Sequence, residues 1–284
     1  MGYGRKLGSE LQCLSSFRLR VVSTEVSKLL HSEPEFGCLS YGRLLDPIWI
    51  DPSIGALWLR ECELRHGSEC SEHGWAIAMQ KPGFLRAIDV EVFCIKEILD
   101  PARCRYVALS YVWGGSSTVK LTQGNMLDLM SEGGLRRYMH KLPQTVVDAI
   151  EVVRRLGERY LWTDALCILQ DSPQEAAEQI SCMDRVYGSA LLTIVAAQGN
   201  NANAGLKGIR NPNTPEVAQR PEQQRQVHQS AARVKEDAAF VAPLMTTNYE
   251  LDRSPWNSRA WTFQERILSR RLIIFTKGQM IWQC

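Results

Sequence analysis

Leu142 to Asp171 reads LPQTVVDAIEVVRRLGERYLWTDALCILQD. Its first half repeats apolar residues at helical spacing, Val146, Ala149, Ile150 and Val153, with Pro143 in the first turn and Gly157 just past the end. Its second half, Tyr160 to Leu169 (YLWTDALCIL), is a mostly apolar run interrupted by Asp164, the pattern of a strand buried on both faces. A helix leading at once into a buried strand is the repeating unit of an α/β protein. The alternation extends both ways. Upstream, Tyr106 to Leu109 is a short apolar run that ends in Ser110, Tyr111 and the pair Gly114-Gly115. Downstream, Ser172-Pro173-Gln174-Glu175 has the form of a capping box with proline at the first helical position, and predicts a helix to about Ser189. Leu191 to Ala197 (LLTIVAA) is the next buried strand. Strands and helices in this series, joined by right-handed crossovers, predict a mostly parallel sheet flanked by helices on both faces.

The flanks are less regular. Residues 1–50 are polar and poorly periodic and read as a loosely ordered lead-in to a domain spanning 51–284. Within 54–100, Ile54 to Leu64 (IGALWLRECEL) has the spacing of an amphipathic helix through Ile54, Leu57, Trp58 and Leu64, and Leu85 to Ile95 alternates as a strand. The α/β core is expected over 104–197 and 254–284. Between them, 198–252 loses its apolar period in runs such as NPNTPEVAQRPEQQRQ and predicts a long, partly mobile insertion loop. Arg271 to Phe275 (RLIIF) and Gln279 to Cys284 (QMIWQC) supply two more strands. The abrupt stop after the second leads to the expectation that the natural chain continues.

At 284 residues, 45% hydrophobic and 23% charged, the composition is that of an ordinary globular protein. A net charge of +2 without a long run of one sign gives no bulk attraction for nucleic acid. Met1 to Ser16 lacks an apolar signal-peptide core, and no run is long enough for a membrane span. The nine cysteines therefore read as reduced thiols in a cytoplasmic or nuclear protein, and the expectation is a cytoplasmic one.

Two groups of residues carry possible chemistry. The first is Cys62, His66, Cys70 and His73, whose types are those of a zinc ligand set. Cys62, His66 and Cys70 recur every four residues, however, and a continuous helix would string them along one face instead of around a point. The alternative is a seam of buried cysteine and half-buried histidine. The second group centres on Trp256 to Glu265 (WNSRAWTFQE). If the chain is helical from Ala260, Trp261 and Glu265 share a face at i and i+4, so the ring lowers the dielectric around the acid. The alternative makes Trp261 core and pairs Glu265 with Arg266 or Arg259. Asp164, inside a buried run, is either an acceptor for backbone amides or part of a site. Ser110 lacks the G-x-S-x-G elbow, and Cys167, in an apolar strand, is a poor partner for His140 in thiol chemistry.

LSYVWGG (109–115), the 142–171 stretch, the Met183–Tyr187–Ala190 run into TIVAA, GLKGIR (205–210) and SRAWTFQERILSRRLIIF (258–275) together resemble the fungal heterokaryon incompatibility (HET) domain, in the family's order, over about residues 50–284. The Trp58–Cys62–His66–Cys70 spacing is similar to the family's N-terminal lead-in. The resemblance implies non-self recognition between fungal cells that ends in programmed cell death. It also implies an allelic or non-allelic incompatibility partner and self-association, while the charge and the lack of a long apolar run lead to the expectation of no nucleic-acid or membrane partner. A second resemblance is to the Toll/interleukin-1 receptor (TIR) domain, which implies a flavodoxin-like three-layer core. It rests on strand–Ser–Tyr, then Trp-x-x-x-Glu before a later strand, although Trp113-Gly114 and the 198–252 insertion depart from it. In NAD⁺-cleaving TIR domains that glutamate is catalytic, which maps to Glu265, with Trp261 as the motif's aromatic. On this reading NAD⁺ is a substrate, Tyr111 and Trp113 stack on a ring, Gly114-Gly115 holds phosphate and Arg259 neutralises another, with Ser110 and Asp164 beside them. The competing expectation is a non-enzymatic death-signalling scaffold.

Overall fold

The computed structural model describes residues 46, 48–71, 82–101, 103–115, 118–210 and 247–284, with the backbone of strands at 20–23, 42–43, 231–235 and 238–241. In chain order the strands are Arg20–Ser23 (β1), Gly42–Arg43 (β2), Leu85–Asp89 (β3), Cys94–Ile98 (β4), Val107–Ser110 (β5), Tyr160–Trp162 (β6), Leu192–Ala196 (β7), Ala231–Lys235 (β8), Ala238–Val241 (β9), Leu272–Phe275 (β10) and Met280–Gln283 (β11). Two units are present. Met1–Ile48 with Gln226–Thr246 contains a four-stranded sheet in the order β2-β1-β9-β8. Trp49–Arg225 with Thr247–Cys284 contains a seven-stranded sheet in the order β11-β10-β7-β5-β6-β3-β4.

The larger sheet is α/β. Its four central strands β10, β7, β5 and β6 run parallel, while β11 pairs antiparallel with β10 on one side and β3 antiparallel with both β6 and β4 on the other. Crossover helices make this possible: Gln144–Arg155 joins β5 to β6, Pro173–Ser181 and Met183–Ser189 join β6 to β7, and Ala260–Leu268 precedes β10. Read along the sheet, the central strands appear in the chain order second, first, third, fourth. The chain therefore reverses direction between β5 and β7, the switch point at which open α/β sheets form a crevice at their carboxyl ends.

Period-two alternation sorts the side chains into two apolar layers. Val107 and Leu109 of β5, Leu192 and Ile194 of β7, and Ile273 and Phe275 of β10 enter the core beneath helices 53–65 and 144–155. Ala108 of β5 points the other way and packs with Trp162, Val186 and Tyr187, while Val195, Leu272 and Ile274 pack with Trp256 and Leu251. Ser110, two residues after Ala108, faces this second layer.

Several local expectations needed correction. Leu85 to Ile95 is a hairpin, β3 and β4, turning through Val90–Phe93 with Phe93 at φ 54°. The run from Tyr160 ends as a strand at Trp162, where extended Thr163 opens a single helical turn, Asp164–Cys167. The helix after Pro173 breaks at Cys182. Ser172 makes no side-chain cap, and the Glu175 carboxylate, which the capping box would turn back to Ser172 N–H, meets Arg86 at 2.5 Å instead. Arg86 is 6% exposed, and a buried cation outbids a backbone amide for a carboxylate. In helix Ser53–Arg65 the inward positions are Ile54, Gly55, Leu59 and Cys62, while Leu64 faces solvent. Within 198–252, β8, β9 and helix Thr247–Asp252 stand where the sequence offers no apolar period.

Candidate functional site

Ser110, the last residue of β5, is where the two halves of the site meet. Its hydroxyl donates to Glu265 Oε2 and accepts from Trp256 Nε1 at 2.5 Å. Trp256 is fully buried, Ser110 is 1% exposed and Glu265 6% exposed. The local sequence explains the arrangement. Ser254 and Pro255 turn the chain inward so that Trp256 fills the second apolar layer, and Arg259 in extended conformation caps helix Ala260–Leu268. Glu265 lies on the inward face of that helix, above Ser110. Tyr187 completes the enclosure: its hydroxyl donates to Leu109 O at 3.4 Å, and its presence favours the ionised form of Glu265. Burial raises the pKa of the Glu265 carboxyl, against the opposing pull of the Ser110 hydroxyl, the Arg259 charge, Tyr187 and Trp256.

A second carboxyl stands nearby. Asp164, at the first position of its helical turn, accepts from Trp113 Nε1 at 3.0 Å and from Ala165 N at 2.8 Å. Of the two roles expected for it, the acceptor for a backbone amide is the one seen, and the Trp113 bond brings it beside the end of β5. Its pKa is pushed up to about 6, chiefly by burial, with the Glu265 charge adding to the rise and Trp113 opposing it. Arg259 Nη1 donates to Tyr111 O at 2.7 Å, and its charge favours the ionised form of both acids. Tyr111 is buried, and its phenol is pushed above its usual range. Trp113 lies under Lys120, whose ammonium is 4.6 Å from the ring centroid.

Gly114 has φ +61°, and a Cβ there would lie 2.5 Å from Asn201 Cβ and 2.6 Å from Asn200 O. This turn presses against the 200–202 loop, and Ala202 N donates to Trp113 O at 3.0 Å. Gly115 is exposed with open space around it.

Ser110, Tyr111, Trp113, Gly114, Asp164, Arg259 and Glu265 thus gather at the carboxyl edge of the parallel strands. Trp261 does not join them. It is 51% exposed, so the i,i+4 relation to Glu265 does not shield the acid. Helix 260–268 tilts Glu265 under the sheet edge and leaves Trp261, Phe263 and Ile267 outside. The ring that touches the acid's hydrogen-bond partner is Trp256, and the phenol is Tyr187. Both were legible only as apolar residues of the core. A cleft of about 540 Å³ lies along the far side of the same helix, lined by Thr262, Phe263, Arg266, Ile267 and the end of β11, and neither Ser110 nor Glu265 borders it.

The sequence model of the family described as heterokaryon incompatibility protein (HET) matches residues 106–265, more than half of the chain. The chain belongs to the HET family. Membership ties it to heterokaryon incompatibility and the cell death that follows. No curated protein and no solved structure matches it. The matched segment of this HET protein begins at Tyr106, just before β5, and ends at Glu265, so it spans both sides of the Ser110–Glu265 contact.

Other candidates resolve simply. Cys167 is buried, with its thiol pushed up to about 12 by burial, the state of an inert core cysteine. Among the described residues no helix is long and apolar enough to cross a membrane. Cys62, His66 and Cys70 do come together, and the group they meet is Cys284 at the end of β11. His73 lies outside the described residues.

Proposed function

We propose that this HET domain cleaves the bond between nicotinamide and ribose in NAD⁺, with Glu265 as the acid that stabilises the ribosyl cation. The observation that carries the reading is the buried carboxyl of Glu265 hydrogen-bonded to Ser110 at the switch point of a parallel sheet. The chemistry asks little of the protein. The C1′–N1 bond breaks with its electron pair going to nicotinamide, which leaves neutral because the ring nitrogen was already cationic. One carboxylate opposite C1′ stabilises the oxocarbenium-like ribose, and water captures it, giving ADP-ribose and a proton. The Ser110 hydroxyl and the Arg259 charge favour the ionised Glu265 that this step requires. On this reading Asp164, with its pKa near 6, takes the proton from the attacking water.

In the state described, the Ser110 hydroxyl is bonded to Glu265, Trp256 holds Ser110 in turn, and Tyr187 closes over the acid. We read this as a resting form, opened when copies associate. The apolar side chains that helix 260–268 turns outward, Trp261, Phe263 and Ile267, belong to the helix that carries Glu265, so packing a second copy there acts directly on the acid. The same exposed face favours the second reading, a scaffold that signals death through assembly alone. The two readings part in living cells. Expressed wild-type protein should collapse the NAD⁺ pool before death, and Glu265→Gln, matched for abundance, should do neither. Death caused by Glu265→Gln with NAD⁺ intact establishes the scaffold.

A further inference from the structure

Helix Ser53–Arg65 would string Cys62, His66 and Cys70 along a line if it continued. It does not continue. His66 caps it, with its N–H on Cys62 O at 2.9 Å, and Gly67 at φ +49° turns the chain into the short helix Ser68–Ser71. That turn folds Cys70 back toward Cys62. The fourth group arrives from far along the chain, since β11 pairs with β10 and delivers Cys284 beside His66. Trp58, one turn before Cys62, packs against Trp282 with ring centroids 6.4 Å apart, and so holds β11 against the helix.

The Sγ atoms of Cys62, Cys70 and Cys284 and a ring nitrogen of His66 all lie within 4.8 Å of one another. His66 Nδ1 is 3.4 Å from Cys70 Sγ and 3.5 Å from Cys284 Sγ. The edge of a tetrahedron with ordinary zinc–sulfur and zinc–nitrogen bonds is about 3.6 Å. An independent observation concerns Arg271, which is 2% exposed. Its Nε donates to Cys62 Sγ at 3.1 Å, and its other donors go to Ser71 Oγ and Leu191 O. Those partners are a sulfur and two neutral oxygens. A donor fixed on a ligand sulfur is what thiolate–metal sites carry in their outer shell.

We propose that Cys62, His66, Cys70 and Cys284 bind one Zn²⁺ in a closed Cys₃His site that fastens helix 53–65 to the last strand of the sheet. Four protein ligands leave no position for water or substrate, so the role is structural. Cys62 and Cys70 are buried while His66 and Cys284 are exposed, and Cys284 also borders the cleft beside helix 260–268, which gives the ion a route in.

The test is metal content and cobalt spectroscopy on the purified full chain, with Cys284→Ser and His66→Ala as variants because both residues are exposed. Wild type should carry about one zinc per chain, and Co²⁺ in its place should give the intense visible bands of a tetrahedral thiolate site. Each variant should lose most of the metal while keeping the wild-type circular-dichroism spectrum, and a chelator should lower the melting temperature of wild type but not of Cys284→Ser. Folded wild type that contains no zinc and takes up none, or a disulfide joining two of these cysteines, overturns the proposal. Since neither Glu265 nor Ser110 is touched, this outcome is separable from that of the NAD⁺ experiment.

Discussion

Replacing Ser110 by alanine removes one hydroxyl and breaks two buried hydrogen bonds. Trp256 Nε1, fully buried, loses its acceptor, and Glu265 Oε2 loses a donor. An unpaired buried N–H costs about 1–3 kcal/mol and a hydrogen bond to a charged acceptor contributes about 1.5–3 kcal/mol. Tyr187 and Arg259 still serve Glu265, so the lower half of the combined range applies, about 3 kcal/mol. For a unit of this size that is a fall in melting temperature of about 6–12 °C. The loss must also depend on pH. The folded pKa of Glu265 lies above its ordinary value of 4.5, so its ionisation opposes folding. That part of the stability is complete below 4.5 and disappears as pH rises through the folded pKa. Removing the Ser110 donor raises the folded pKa further, so the deficit of Ser110→Ala should widen from about pH 4 to about pH 8. Thermal melts of both proteins at the two pH values measure it. A variant melting within about 1 °C of wild type, or a deficit equal at both pH values, refutes the buried Trp256–Ser110–Glu265 chain.

Gly114→Ala forces a left-handed backbone on alanine and drives a Cβ against Asn200 and Asn201. Denaturant melts should show a loss of about 2 kcal/mol or more, whereas Gly115→Ala, in open space, should cost less than about 1 kcal/mol. Asp148 is 1% exposed, accepts from Leu206 N at 2.7 Å and Gln144 Nε2 at 2.9 Å, and pairs with Arg210 at 3.0 Å. Asp148→Ala should therefore destabilise by about 3–5 kcal/mol, with Asp148→Asn losing less because it keeps the acceptor for Leu206 N. Burial holds the Asp148 pKa near 6, above its ordinary 3.8, so its ionisation opposes folding and the advantage of wild type over Asp148→Asn should shrink as pH rises through about 6. Thiol labelling of the native chain at about pH 8 should leave Cys167 unmodified until denaturant is added.

The α/β core could be read from the sequence because its strands are buried on both faces and its helices amphipathic. Helix 144–155 and strands β5, β7 and β10 stand within two residues of their expected bounds. What failed was local. Thr163 and Asp164 end β6 early because a polar pair at a strand end finds partners by turning, which an apolar count across YLWTDALCIL cannot register. β8 and β9 are short and pair with each other as a hairpin, and β9 pairs also with β1 far away in the chain, a partner that no local pattern announces. The site shows the same division. Glu265, Ser110 and Asp164 were visible as polar residues in apolar surroundings. Trp256 and Tyr187 were not, because their rings satisfy the core and only their polar tips enter the site. Trp261 misled because i,i+4 spacing says that two residues share a helix face but not that both are covered along it: Glu265 is buried, while Trp261, one turn earlier, stands outside. Cys284 joins Cys62, His66 and Cys70 through strand pairing, which no spacing within 62–73 reveals.

The most direct test is nicotinamide release from NAD⁺ by the purified chain, followed over a series of protein concentrations and set beside Glu265→Gln of equal thermal stability. Turnover should rise more steeply than protein concentration, as expected if copies must associate to open the site, and should fall at least about 100-fold in Glu265→Gln, the loss of a carboxylate that acts in the transition state. Wild-type protein that leaves NAD⁺ intact at every concentration, or a Glu265→Gln variant that turns it over as fast, contradicts the account.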